Sequence, residues 1–217
     1  MRKIDTKKNI ILIDKPKGIT SFDIIRKLRH TLNIKKMGHA GTLDPLATGL
    51  MIIGLRDGTK DLHRYIKLPK MYEAEILLGK RTTTGDLEGE RIEEQEVQSI
   101  DNQELETVLE GMVGAITLQV PLFSAVKIKG KPLYKRARDG EDIEPPEKEM
   151  EVLWIKLHSH HSEGSYYVLN IELEVASGTY IRSIAEEIGK RLGVPATLKN
   201  LRRTKIGDFK IEDAYKF

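Results

Sequence analysis

Residues 38 to 49 read Gly-His-Ala-Gly-Thr-Leu-Asp-Pro-Leu-Ala-Thr-Gly, the most informative stretch of the chain for chemistry. Pro45 pushes Asp44 away from the helical region and Gly41 supplies a turn, so one carboxylate is expected on a fixed loop. His39 lies just upstream, across a glycine hinge. On spacing alone this is a polar turn. Other groups suit other chemistries less well. Gly54 to Lys60 looks like a phosphate loop, but Thr59 stands where the Walker pattern needs Gly, and Asp61 where it needs Ser or Thr. His158, His160 and His161 suggest a metal. They are expected in a Ser/Gly-containing turn between two strands, without suitably spaced carboxylates, so no metal site is expected. The chain has no cysteine, which excludes disulfides, Cys-zinc sites and thiol nucleophiles.

The charge pattern points to a polyanion. Net charge is only +3, yet Asp86 to Glu110 holds ten acids and one base, leaving 35 bases against 23 acids elsewhere. Lys127, Lys129, Lys131, Lys135, Arg136 and Arg138 form the densest basic segment; Lys199, Arg202, Arg203 and Lys205 form a second. On a strand, Lys127 and Lys129 would share one face. No apolar run approaches the roughly 20 residues that span a bilayer. The start, Met-Arg-Lys-Ile-Asp-Thr-Lys-Lys, lacks a signal peptide's apolar core, so a cytoplasmic protein without membrane contact is expected.

The elements that must position these groups can be read in outline. At 217 residues, the chain can build one good-sized core. Asn9 to Asp14 reads as a buried strand. Thr20 with Asp23 reads as a capping box, followed by Phe22, Ile25, Leu28 and Leu32 at helical spacing. Strands are expected at 50–54 and 71–79, a Gly/Thr/Asp-rich loop at 80–90, and a helix from Asp101 to Gly111. Strands at 115–120 and 123–128 precede a short basic helix, with Pro132 early in it and Gly140 just past its end. Strands near 150–158 and 166–176, a helix over 180–192 and a strand over 198–206 complete the series. Helices inserted irregularly among successive strands predict α+β, with a mixed, largely antiparallel sheet.

Four segments carry a family resemblance, in order: Leu-Ile-Asp-Lys15-Pro16-Lys-Gly, the Asp44 loop, Lys70-Met-Tyr72-Glu, and Ser177-Gly-Thr-Tyr180-Ile-Arg182-Ser followed by Leu201-Arg202-Arg203. Together they resemble the tRNA pseudouridine(55) synthases, the TruB family. The resemblance implies the pseudouridine synthase type of sheet with helices packed on it. It also implies one catalytic domain over residues 1–217, with an RNA-contacting insertion at about 123–148. The implied activity is isomerisation of uridine to pseudouridine at position 55 in the T loop of tRNA, by base flipping and without a cofactor.

The site residues follow from the same resemblance. Asp44 is the catalytic carboxylate, kept ionised by Arg182. Tyr72 packs on the target base and is a candidate for proton transfer. Tyr180 and Leu201 line the uracil pocket. His39 fills the space that the extruded nucleotide leaves. Lys15, Lys127, Lys131, Arg136 and Arg202 are the expected RNA contacts. An arginine in a first helical turn gains nothing from the helix dipole, so a carboxylate partner explains Arg182 better than chance placement does. Bacterial members normally continue into a small C-terminal RNA-binding domain, and none is expected here. Pro-Leu-Ala-Thr after Asp44 resembles the stand-alone bacterial enzymes, so a monomer acting on the T arm without guide RNA is expected. The alternatives are a synthase for another RNA, and an RNA-binding or tRNA-folding module whose catalysis is dispensable.

Overall fold

Thr20 fixes where helix begins in this computed structural model, which describes residues 4–217. Its hydroxyl accepts from the Asp23 backbone N–H at 3.1 Å, and the Asp23 carboxylate accepts from the Thr20 backbone N–H at 2.9 Å. This capping box satisfies two otherwise orphaned donors. It opens α1 (Ser21–Leu32), which follows β1 (Ile10–Lys15). Ile24, Ile25 and Leu28 are buried, whereas Phe22 is 56% exposed. The apolar stripe runs through positions 24, 25 and 28, so Phe22 is not the core residue its spacing suggested.

β2 (Met37–His39) and β3 (Thr48–Leu55) flank the Asp44 loop, and a short α2 (Leu62–Ile66) follows. β4 (Lys70–Leu78) alternates, burying Lys70, Tyr72, Ala74 and Ile76 while Glu73 is exposed. The expected 80–90 loop is in part a hairpin, β5 (Lys80–Thr82) pairing with β6 (Arg91–Glu94). α3 (Asn102–Glu110) starts on an Asp101 cap and stops at Gly111, and β7 (Gly114–Gln119) follows.

The expected strand at 123–128 shrinks to β8 (Lys127–Ile128), paired with β9 (Lys131–Pro132). Lys129 (φ 50°) and Gly130 (φ 83°) between them are both left-handed, the geometry that matches a two-residue hairpin to strand twist. Lys127 and Lys129 therefore share no strand face. α4 (Leu133–Arg138) begins after Pro132, which is its N-cap rather than its first residue.

β10 (Glu147–Glu163) runs straight through His158, His160 and His161, so these lie on a strand and not in the expected turn. His158 Nε2 meets Glu172 at 3.1 Å and His160 Nδ1 meets the Tyr167 hydroxyl at 2.7 Å. Those partners lie on β11 (Tyr166–Val175). α5 (Ile181–Arg191), β12 (Ala196–Ile206), β13 (Phe209–Lys210) and β14 (Tyr215–Lys216) complete the chain.

The described residues form two compact units. The first comprises residues 4–73, 174–177 and 200–217; the second comprises Ala74–Leu173 and Gly178–Lys199. In the first, the strand order is β14-β1-β3-β12, with β2 on β3 and β13 on β12. β1 and β3 pair antiparallel, whereas β3 and β12 pair parallel. In the second, the order is β4-β11-β10-β7, with β10 and β7 antiparallel. The fold class is α+β with mixed, largely antiparallel pairing, as the sequence pattern indicates.

Ala40, Leu50, Ile52, Leu62 and Ile206 form a buried cluster in the first unit, with Leu12, Tyr65 and Phe209 packed against it. In the second, Leu105 and Leu109 of α3 and Ile184 and Ile188 of α5 are buried. Ile52 is fully buried, so Ile52→Ala leaves a cavity and is expected to cost about 2–5 kcal/mol. Urea unfolding should show a lower midpoint at unchanged slope.

Candidate active site

The Asp44 loop is fastened at several backbone points. Ser21 Oγ donates to the Leu43 carbonyl at 3.0 Å and accepts from the Leu43 N–H at 2.8 Å. Ala40 N–H donates to Ile52 O, Gly18 N–H to Pro45 O and Ala47 N–H to Asp44 O, at 2.8–3.1 Å. Leu43, Leu46 and Ala47 are buried and Asp44 is half-exposed. The loop thus holds its carboxylate near the surface on a backbone with few free torsions.

Two buried cations complete the fastening. The Lys15 ammonium donates to Pro16 O at 3.0 Å, Ile19 O at 2.7 Å and Pro45 O at 3.4 Å. Arg203 Nε donates to Leu50 O at 2.7 Å, and Nη2 to Gly41 O at 3.2 Å. Lys15 was expected at the RNA and Arg203 in a basic surface segment. Both are corrected: with 0% and 1% exposure they serve carbonyls inside the fold. Gly41 takes φ 101°, open to glycine at little cost. At Gly49, also at positive φ, a Cβ would stand 2.3 Å from the Arg203 carbonyl oxygen. Only glycine permits that approach, which sets the Arg203–Gly49 register of β12 on β3.

His39, Tyr72, Leu201 and Arg202 belong to the same unit. His39 is half-exposed, and its Nδ1 is buried without a hydrogen-bond partner. Burial, and then the Arg203 charge, push its pKa below the ordinary imidazole value against the pull of a Gly41 backbone hydrogen bond. A neutral ring results, suited to stacking rather than to phosphate binding. Tyr72 and Leu201 are 7% and 9% exposed. Arg202 clasps Asp14 at 2.8 and 3.1 Å and reaches Thr48 Oγ1 at 3.3 Å. Its expected RNA contact competes with that bidentate pair.

The second unit carries Arg182 and Tyr180. Arg182 is 4% exposed at the second position of α5. Its Nη1 donates to Thr84 O at 2.8 Å and Nη2 to Phe123 O at 3.1 Å, while Nε lies 4.0 Å from the Asp86 carboxylate. Asp86 is itself buried, accepting from Thr84 Oγ1 at 2.6 Å and from the Glu88 N–H at 3.1 Å. These contacts fix the guanidinium's plane. Tyr180 is the N-cap of α5, with the Lys148 ammonium 5.8 Å from its ring centre.

In the basic hairpin and helix, Lys127 is exposed. Lys131 pairs with Asp139 and Glu141 at 2.6 Å each, and Arg136 with Glu141 at 2.7 Å. The Asp139 and Glu141 hydrogen bonds hold the Lys131 pKa above its ordinary value. Exposed pairs of this kind are weak enough for a phosphate to replace the carboxylates. Among the described residues, no three His, Asp or Glu side chains gather as a metal site. No helix among them is long and apolar enough to cross a membrane.

A model of the TruB family pseudouridylate synthases, N-terminal domain, matches residues 29–181. The chain belongs to that family. It is 39% identical over 205 residues to tRNA pseudouridine synthase B of Corynebacterium efficiens, covering 94% of this chain and 69% of the relative. The Desulfotalea psychrophila protein of the same name is 42% identical over 216 residues, covering 99% of this chain and 88% of the relative. Among solved structures, a Cbf5–Nop10–Gar1 complex matches with TM-score 0.73 and 28% identity over 96% of this chain. The chain spans about half of that protein's length, 52%. Family membership makes this TruB-type chain a pseudouridine synthase, an isomerase.

Sequence reasoning passed over three groups in this TruB-type fold: Asp86, Arg203 and Lys70. Asp86 sat within a run scored only for its net charge, and Arg203 within a basic segment read as contacting RNA. Lys70 was quoted only as a neighbour of Tyr72. It is 7% exposed, and its ammonium donates to Ile66 O and Leu68 O at 2.6 Å each. Burial, with the nearby Arg203 charge, lowers its pKa from 10.5 to about 8. An amine depressed in the folded state binds fewer protons there than in the unfolded chain between those two values. Wild-type stability relative to Lys70→Met should therefore rise as pH increases through 8. Urea unfolding of both proteins at about pH 7 and about pH 9.5 tests this; a pH-independent difference would reject a depressed amine at Lys70.

Proposed function

We propose that the chain converts uridine to pseudouridine in the T loop of tRNA, at position 55, with Asp44 as the catalytic carboxylate. The observation that carries this reading is the Asp44 loop itself, one half-exposed carboxylate on a backbone clamped by Ser21, Lys15 and Arg203. The name shared by the bacterial relatives, tRNA pseudouridine synthase B, supports tRNA as the substrate. Those relatives match at 39% and 42% identity, against 28% for the Cbf5 chain. That difference favours a protein acting on its own, without a guide RNA.

In this reading the uridine leaves its stack at a cost of a few kcal/mol, which phosphate contacts offset. Lys127 supplies a contact directly. Lys131 and Arg136 supply theirs by exchanging Asp139 and Glu141 for phosphates. His39, neutral and flat, occupies the vacated space, and the family resemblance assigns Tyr72, Tyr180 and Leu201 to the base. Asp44 then acts as nucleophile or as stabilising anion while the C1′–N1 bond breaks. The trapped uracil rotates and the C1′–C5 bond forms. The C5 proton departs and N1 gains one, so the reaction is redox-neutral and needs no cofactor. Arg182, its plane fixed by Thr84 and Phe123, keeps its place in this reading as a fixed cation for charge that develops during the reaction.

Tritium release from a T-arm stem–loop labelled at uridine C5 tests the reading. Wild type should release tritium and Asp44→Ala should not, while both unfold alike in urea. Release by Asp44→Ala would sink the mechanism. Arg182→Ala should lower kcat by roughly 100-fold or more. A wild-type kcat from that variant would remove Arg182 from catalysis.

A further inference from the structure

α1 carries a surface that the reaction described above leaves unused. Phe22 is 56% exposed, while its apolar neighbours on the helix, Ile24, Ile25 and Leu28, are at most 2% exposed. The Arg26 and Arg29 guanidinium carbons lie 6.0 and 5.9 Å from the Phe22 ring centre. Arg29 is held in place, because its Nη2 donates to Met37 O at 3.1 Å. The three residues stand at i, i+4 and i+7, one face of a helix.

Charge singles out the same face. From Lys17 to Met37 there are six lysines and arginines and one acid, Asp23. Asp23 already accepts from the Thr20 N–H and hydroxyl, at 2.9 and 2.6 Å, and pairs with Arg26. Ser21, beside Phe22, is the residue bonded both ways to Leu43. The first turn of α1 therefore abuts the Asp44 loop.

An exposed aromatic ring with two guanidinium groups over it suits a ligand with flat bases joined by anionic links. An acidic protein would engage the arginines without needing the ring. We propose that this face of α1 docks substrate RNA outside the reacting uridine, an unpaired base stacking on Phe22 while Arg26 and Arg29 hold flanking phosphates. The proposal rests on the reading of the chain as an RNA-modifying enzyme and adds a contact that this reading does not require.

The test uses the full chain and a fluorescent, unmodified tRNA transcript, with binding followed by anisotropy over a range of salt concentrations. Phe22→Ala should weaken binding about tenfold and Phe22→Trp should restore it, since a stacked base contributes on that order. Arg26→Ala should reduce the slope of log K against log salt by about one. Wild-type affinity in Phe22→Ala, or no recovery with Trp, would overturn the stacking contact. An unchanged salt slope in Arg26→Ala would overturn the phosphate contact. Tritium release by wild type with unchanged Phe22→Ala binding would sink this inference alone. Tight tRNA binding without release would sink the catalytic reading and leave the surface standing.

Discussion

The buried guanidinium of Arg203 is the interaction on which the first unit depends. It joins the carbonyls of Leu50 and Gly41, and so ties β3 to the turn that leads into Asp44. A charge with 1% exposure survives only because dipoles meet its donors; removing one partner leaves an uncompensated ion inside the fold. The contact in turn needs the Arg203 backbone close against Gly49, where no residue with a Cβ fits. One glycine and one arginine thus set both a strand register and the entry to the loop.

Cations recur around this loop. Lys15 and Lys70 are also buried, each bonded to carbonyl oxygens, and His39 is held neutral beside Arg203. Converging lone-pair dipoles stabilise these charges where solvent cannot. The positive field that remains around the loop suits the anionic backbone of RNA. In the second unit the same device appears once more. Arg182, beside the positive end of α5, is compensated by two carbonyls and by the Asp86 carboxylate. Fixed donors of this kind need no reorganisation when charge shifts during a reaction.

The basic hairpin and helix follow a different logic. Lys131, Arg136, Asp139 and Glu141 pair with one another in solvent-exposed contacts that are each weak. Such a network keeps the segment ordered and exchanges carboxylates for phosphates at little cost. The left-handed Lys129–Gly130 turn gives the hairpin its twist and divides the basic side chains between elements. Charge density there was legible from composition, but the turn that takes Lys129 off the strand face of Lys127 was not.

The sequence by itself determined what local rules govern. The Thr20–Asp23 box, the Asp101 cap and the Gly111 stop each act over a few residues, and each appears where the sequence placed it. Gly41 and Pro45 likewise marked a fixed turn around Asp44, and the ordered motifs marked the family. Tertiary structure decided the rest. Arg203 meets Leu50 and Gly41 across 153 and 162 residues of chain, and Arg182 meets Thr84 across 98. The sequence marked Arg182 by motif and Arg203 by charge, but not the carbonyls that each one meets. Phe22 fits a helical stripe by spacing, yet positions 24, 25 and 28 are the ones buried. Propensity, capping and turn geometry act between near neighbours and are written in order along the chain. Which buried charge meets which carbonyl depends on strand register, and register exists only once the sheet has formed.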